Sequence, residues 1–543
     1  MKVKISNIKP SVDISRSTFD RSFNVKTTFN AGKLIPFYVD EVLPGDTFKD
    51  RTSMVVRMTT PIFPVMDDCY LDYYYFFVPN RLVWDNWQRF MGENDMSAWT
   101  STFDKPLPTV SIPPESNLKN TTFDYFGLPA TTGFGGNTVD VNALPFRAYQ
   151  LIWNTRFRSE NLQNPQLIAK GDTGDSFAVV SQLLPVCKAP DYFTTALPAP
   201  QKGPSTLIPG VVYKSSAPVT FSRDATHDGG GPVHFTSIPG TGSEPSNTGY
   251  YIGATATENN ARKIGTNSGL NTSQVTIDNA YAYLGEARAD GGTINDLRQA
   301  FAVQRMLERD ARGGTRYEEL IASHFGVNSP DERIQRPEFL GGGRVNINMQ
   351  QVVQQSSTDS TSPQGNVSGL SKTVHTGGEF TKSFTEHGYI IGVLCVRTKH
   401  TYQYGIDRLW SRRNRLDFYF PELANIGEQA ILNKEIYAQG TAQDDEVFGY
   451  QEAWAEYRYK PNVVTGAFRH VADNNLDSWH YADIYDKLPK LSDSWIRETD
   501  VNINRTLAVQ SQLADQFLAD IYVQNVCTRT IPLYSVPGLT GHY

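Results

Sequence analysis

The sequence is poor in cysteine and has no long hydrophobic run. Its four cysteines, Cys69, Cys187, Cys395 and Cys527, are far apart and form no CxxC pair. That spacing argues against a disulfide framework or a zinc site and favours free, mostly buried thiols in a reducing compartment. The longest strongly apolar stretch, residues 389–396, is too short to cross a bilayer as a helix. The opening MKVKISNIKPSVDISRS lacks the apolar segment of a signal peptide, so a soluble cytoplasmic product is expected. Catalytic signatures are missing as well. The sequence holds no phosphate-binding GxxxxGK followed by Ser or Thr, no HExxH, no GxSxG, and no GxGxxG between a strand and a helix. The nine histidines are scattered, with no metal-ligand spacing. Carboxylate neighbours such as Asp67-Asp68 and Asp444-Asp445 do not make the facing pair that glycoside hydrolysis needs. Asp- and Asn-rich loops offer oxygen ligands for calcium, but not at EF-hand spacing. The expectation is therefore a protein that is not an enzyme, with no catalytic residue, metal or cofactor assigned.

What the sequence has is aromatic residues and turns. Among its 543 residues are 27 Tyr and 29 Phe, which favour strands, and 42 Gly with 31 Pro, which favour turns. The net charge of -7 excludes a protein that coats nucleic acid with its whole surface. Charge is nevertheless uneven. Residues 1–33 carry seven Lys and Arg (Lys2, Lys4, Lys9, Arg16, Arg21, Lys26, Lys33) against two Asp. Such asymmetry marks either a basic arm that meets nucleic acid or a solvated terminus.

Along the chain, TSMVVRMTTPIFPVM sets Met54, Val56 and Met58 against Val55, Arg57 and Thr59, the alternation of a half-buried strand. CYLDYYYFFVP is bulky at every position, as in a strand covered on both faces. NRLVWDNWQRFMGE has Trp84, Trp87 and Met91 at helical spacing with Gly92 as a stop. Residues 104–150, broken by Pro and Gly, read as long ordered loop, and so do residues 341–378. Residues 203–275 are dominated by Gly, Ser, Thr, Asn and Pro and read as a surface insertion with a few strand pieces. A helix is expected at 294–312, with Leu297, Ala300, Leu307 and Ala311 on one face and Arg298, Arg305, Arg309 and Arg312 roughly opposite. Thr315 to Glu318 has the form of a capping box opening a second helix that stops at Gly326. HGYIIGVLCVRTKHTYQYG reads as a buried strand and YQEAWAEYRYKP as an alternating one. Residues 507–534 read as a strand or as partly helical. Strands, long loops and few helices point to a β-sandwich or jelly roll with insertions.

Three basic features carry the functional reading. The first is the arm. The second is the arginine stripe of 294–312, either an interface that pairs with carboxylates or phosphates, or a solvated helix face. The third is GIDRLWSRRNRLDFYFP, where Arg408, Arg412, Arg413 and Arg415 alternate with Trp410, Phe418 and Tyr419. Arginine beside aromatics holds single-stranded nucleic acid by phosphate pairing and base stacking. The same composition also serves an intersubunit contact, or a strand edge where Arg lies over rings.

FDRSFNVKTTFNAGKLIPFYVDEVLPGDTF, DYYYFFVPNRLVWDNWQRFMGE, INDLRQAFAVQRMLERDARGGTRYEELIASHFGV and FGYQEAWAEYRYKPNVVTGAFR resemble, in order and spacing, the major capsid protein of the Microviridae. These are small tailless single-stranded DNA bacteriophages, and the gokushovirus branch is the most similar. The resemblance covers blocks from about residue 15 to the C-terminus and leaves 203–275 unmatched. It implies a single domain over 1–543, an eight-stranded antiparallel jelly roll with long insertion loops and a few short helices. That domain would assemble into a T=1 icosahedral shell around circular single-stranded DNA. It also implies several partners: an internal scaffolding protein, a small basic DNA-binding protein, a DNA pilot protein and a host surface receptor. On this reading the arm, residues 1–48, faces DNA through Lys2, Lys4, Lys9, Arg16, Arg21 and Lys26, together with Arg408, Arg412, Arg413 and Arg415. Arg298, Arg305, Arg309 and Arg312 are intersubunit candidates. The insertion 203–275 forms a three-fold protrusion, with Tyr213, Phe221, His227, His234, Tyr250 and Tyr251 as host-attachment candidates. The virion is the expected location. Two rival readings share the aromatics and the absence of motifs: a carbohydrate- or receptor-binding β-sandwich outside any shell, and a glycan-cleaving β-sandwich enzyme.

Overall fold

A computed structural model describes residues 15–93, 105–114, 117–129, 137–204, 294–358, 360 and 363–534, together with six short strands between 219 and 282. In chain order the first strands are β1 (Ser17–Asp20), β2 (Phe23–Phe29), β3 (Ile35–Val42), β4 (Thr47–Met58), β5 (Cys69–Pro79), β6 (Thr109–Ile112) and β7 (Val139–Asn142). The short ones are β8 (Val219–Phe221), β9 (Phe235–Ser237), β10 (Tyr251–Gly253), β11 (Lys263–Gly265), β12 (Val275–Ile277) and β13 (Ala280–Ala282). Then come β14 (Glu338–Asn346), β15 (Met349–Val353), β16 (Val367–Ser371), β17 (Thr373–Ser383), β18 (Gly388–Thr398), β19 (Glu428–Leu432), β20 (Val447–Glu452) and β21 (Phe517–Arg529). The chain divides into two units, residues 1–202 with 308–543, and residues 203–307.

In the first unit two antiparallel sheets carry the architecture. One runs β1-β21-β4-β17, with β2 also on β21, and the other runs β14-β5-β18-β3. β1 and β2 occupy successive lengths of β21, β1 opposite residues 526–529 and β2 opposite 517–523. They act as one interrupted strand, so each sheet has four strand positions, which is the eight-stranded plan of a jelly roll. The alternation read in the sequence decides which side chains enter the core. Met54, Val56 and Met58 of β4 are buried, and Arg57 is exposed. They pack with Phe29, Phe517, Ile521 and Val523, and with Tyr73, Tyr75, Phe77, Ile390 and Leu394 of the facing sheet. The other side of that second sheet is covered too. Phe76, Val78, Ile391, Val393 and Cys395 pack against Leu144, Ala148, Tyr149 and Ile152 of the helix Leu144–Ile152. That second layer is why β5 and β18 have no polar face.

Several expectations are corrected. Residues 104–150 are not loop throughout. β6 and β7 form a ribbon, and the helix Leu144–Ile152 forms because Pro145 falls in its first turn, where no backbone donor is lost. Residues 341–378 are largely strand, from β14 to β17. The glycines that suggested a loop let β14 lie close on β5: a Cβ on Gly342 would sit 2.4 Å from the Tyr73 carbonyl oxygen. Tertiary packing therefore overrides the local turn signal. The stretch 80–92 is a 3-10 turn (Asn80–Leu82) and a short helix (Trp87–Phe90) instead of one continuous helix. Capping of the helix Tyr317–Phe325 begins one residue later than expected. The Glu319 carboxylate accepts from the Arg316 backbone N–H at 3.2 Å, while the Thr315 N–H and hydroxyl donate to Glu160. Gly326, at φ +66°, ends that helix as expected. β20 stops at Glu452, and Trp454 at φ +64° turns the chain away, so only the first three residues of YQEAWAEYRYKP are strand. β21 resolves the C-terminal ambiguity as strand over Phe517–Arg529.

The helix of the arginine stripe spans Ile294–Gly313. In the second unit, β8 pairs β13, β9 pairs β12 and β10 pairs β11, a nested antiparallel ladder that continues past residue 275.

Candidate functional site

Two turns build the arginine–aromatic region. The Asp407 side chain accepts from the Leu409 N–H at 3.0 Å and caps the 3-10 turn Arg408–Ser411. The Asp417 carboxylate accepts from the N–H groups of Arg413 and Asn414, both at 2.7 Å, and those bonds hold its pKa below the usual carboxylate value. Behind them Trp454 donates its indole N–H to the Leu423 carbonyl at 2.8 Å. Tyr419 stands edge-on to Trp454, with ring centroids 5.7 Å apart.

On this support three of the four guanidiniums already have partners in their own chain. Arg408 donates to the Ala430 carbonyl at 3.0 Å and lies 3.9 Å from Glu435. Arg412 donates to the Tyr457 hydroxyl at 2.6 Å and pairs with Glu456 at 3.2 Å. Its guanidinium also lies over the rings of Tyr457 and Phe418. Arg415 lies over Phe420 at 5.2 Å. Arg413 is exposed, and its guanidinium has no hydrogen-bond partner among the described residues.

The arm residues separate in the same way. Lys2, Lys4 and Lys9 lie outside the described residues. Arg16 donates to the Gly45 carbonyl and to Thr47. Arg21 grips Asp40 of β3 with both amino groups, at 2.6 and 2.9 Å, and ties the β1–β2 junction to the opposite sheet. Lys26 is exposed on β2, opposite Asp520 in the register of β21. From Ser17 onward, then, most of the stretch 1–48 is sandwich strand.

On the helix Ile294–Gly313, Arg298, Arg305 and Arg309 are exposed, and Arg312 pairs with Glu428 and Glu452. Phe221 falls on β8 and Tyr251 on β10. Tyr213, His227, His234 and Tyr250 lie outside the described residues.

One cluster gave no sequence signal. Buried His400 has Asp483 on Nδ1 at 3.0 Å and Glu498 on Nε2 at 2.9 Å. Asn502 donates to the same Asp483 carboxylate at 2.6 Å, and Lys188 approaches it at 3.7 Å. Acceptors on both ring nitrogens require both to carry hydrogen, which is the imidazolium. Burial opposes that charge, but the two carboxylates outweigh it and raise the His400 pKa to about 10. Burial opposes the Asp483 charge as well, yet His400 and Lys188 hold that carboxyl well below its usual range. The charges are matched and enclosed, a strut with no opening to a substrate. Among the described residues no three His, Cys, Asp or Glu side chains are grouped to hold a metal ion, and no helix is long and apolar enough to cross a membrane.

Comparison with known proteins agrees with the sandwich. The family model described as capsid protein (F protein) matches residues 6–539. Capsid protein VP1 of Bdellovibrio phage phiMH2K is 42% identical, over 98% of this chain and 97% of its own length. Capsid protein VP1 of Chlamydia phage 1 is 40% identical, over 99% of this chain and 98% of its own. Capsid protein VP1 of Spiroplasma virus 4 is 39% identical, over 99% of this chain and 100% of its own. Similarity of that extent, on a jelly roll of two packed sheets, places the chain in the capsid protein (F protein) family, as its resemblance to microvirus capsid proteins implied.

Proposed function

We propose that this chain is the major capsid protein of a bacteriophage and closes into a T=1 icosahedral shell around circular single-stranded DNA. The observation that carries the reading is the end-to-end match to capsid proteins, residues 6–539, on a sandwich whose loops outgrow its strands. A rigid sandwich fixes the geometry, and its loops supply the large contacts that a closed shell needs. An internal scaffolding protein, a small basic DNA-binding protein and a DNA pilot protein are the assembly partners in this reading. The insertion 203–275 is the candidate for contact with a host receptor.

Electron microscopy of the purified chain, with particle mass from sedimentation, tests the shell. Uniform icosahedral particles are expected. A chain that stays monomeric even when co-expressed with a scaffolding partner would overturn the reading. For the insertion, deleting 203–275 is expected to leave the sandwich folded and to abolish attachment. Particles that form without it and still attach would refute that role.

A further inference from the structure

The arginine–aromatic shoulder exposes more apolar surface than a solvated turn needs. Trp410 is 76% exposed and Leu416 is 72% exposed, and Phe418, Tyr419 and Tyr457 are about half exposed beside them. The Phe418, Tyr419 and Tyr457 rings are held by cation–π contacts and ring packing, so they form a preset surface beside Trp410. Rigid aromatics with arginine are the residues that dominate protein–protein contacts. Monomeric proteins rarely leave such a patch open.

Charge identifies the partner. A nucleic acid strand would find two guanidiniums here without a hydrogen-bond partner among the described residues, Arg413 and Arg415, the second already lying over Phe420, because Arg408 and Arg412 are engaged within the chain. It would also meet the carboxylates of Asp417, Glu422, Asp445 and Glu446. Asp445 is close enough to Arg413 for that charge to help hold its pKa down, after Lys434, its principal partner. Asp445 and Glu446 are both exposed. Asp445 is already paired with Lys434 at 2.7 Å, so the patch carries unpaired guanidinium charge and, among the described residues, the unpaired carboxylates of Glu422 and Glu446 around an apolar centre. A surface of that kind is complementary to itself. We propose that the shoulder formed by residues 407–420 and Tyr457 docks against a second copy of this chain, Arg413 meeting the Asp445–Glu446 edge of its neighbour. The inference rests on the shell reading and assigns one of its contacts.

Hydroxyl-radical footprinting of the wild-type chain, free and in particles, tests it. Trp410 and Leu416 are expected to be oxidised several-fold more slowly in particles. Equal oxidation in both states overturns the contact and leaves the shell standing. A chain that never forms particles overturns both. Independently, Trp410→Ala with Arg413→Glu is expected to shift sedimentation to sub-shell species while the free chain melts as wild type does, and adding Asp445→Arg is expected to restore particles. Normal particle yield from the double variant, or lost DNA content at normal yield, refutes the contact.

Discussion

His400 and Asp483 meet at 3.0 Å where both are buried, and Glu498 takes the other side of the same ring. The pair joins the segment after β18 to the segment before β21, which lie far apart in sequence. Removing the imidazole would leave two carboxylates enclosed without their counter-charge. His400→Gln is therefore expected to destabilise the free chain by roughly 3–5 kcal/mol near pH 6. The pH dependence follows from the shifted groups. His400 contributes in full below the ordinary imidazole value of about 6.5, and the contribution fades as pH rises toward about 10. Asp483 contributes above about pH 4, the ordinary value for Asp, and loses its share as pH falls below it. The two describe one interaction and are not additive. Urea unfolding at pH 6 and pH 9 checks this. The variant should lose most of its deficit at the higher pH, and a midpoint equal to wild type at pH 6 would count against the strut.

Asp50 presents the opposite case. It is buried in the main core, where burial and then the charge of Asp40 raise its pKa to about 7. One of its oxygens, and the side-chain oxygen of Asn525 across the sheet, have no hydrogen-bond partner among the described residues. An acid with a raised folded pKa binds its proton more tightly folded than unfolded, so stability falls as pH rises from about 4 toward 7. Asp50→Asn removes that penalty. The variant is expected to be more stable than wild type by ~2–4 kcal/mol at pH 8, with little gain at pH 4. Thermal melts at the two pH values decide the matter, and a variant less stable at pH 8 would rule the account out.

Gly342 tests the close approach of β14 to β5. An added methyl would meet the Tyr73 carbonyl oxygen at 2.4 Å and the Tyr74 ring at 2.9 Å. Backbone cannot yield as a flexible side chain does. Gly342→Ala is expected to destabilise by about 1–3 kcal/mol, the usual range for an overpacked site. A melting temperature within error of wild type would show that the strands separate freely.

The parts of this fold that local patterning controls were legible. β4 alternates because one face meets the core, and β5 is bulky at every position because a helix covers its far face. The glycine-rich β14 was misread because the reason for Gly342 and Gly343 is the neighbouring Tyr73, which no local window contains. The His400 cluster was invisible for a related reason: its carboxylates lie 83 and 98 residues away in sequence, so no spacing exists to be read. The arginines of 408–415 were visible as composition. Their assignment was not, because Glu435, Glu456 and Tyr457, which engage two of the four, come from later segments.

The basic residues of the N-terminal region now divide into two groups with different expected effects. Arg21 is committed to Asp40 through two short bonds, with the carboxylate largely buried and the guanidinium partly exposed. Arg21→Ala is expected to lower stability by about 1–2 kcal/mol, as for a charged hydrogen-bonded pair partly screened by solvent. DNA content per particle should not change. Lys26 has no such commitment, being exposed on β2. Replacing Lys26 together with Lys2, Lys4 and Lys9 by Ala is expected to leave the melting temperature of the free chain unchanged. Lost counter-charge should instead lower the DNA retained per particle, most clearly at low salt, because the lysine–phosphate contacts removed are themselves weakened as salt rises. Melting curves and the ratio of absorbance at nucleic-acid and protein wavelengths separate the two effects. If the lysine variant melts early and packages normally, the N-terminal charge serves the fold and the assignment of these lysines to DNA fails.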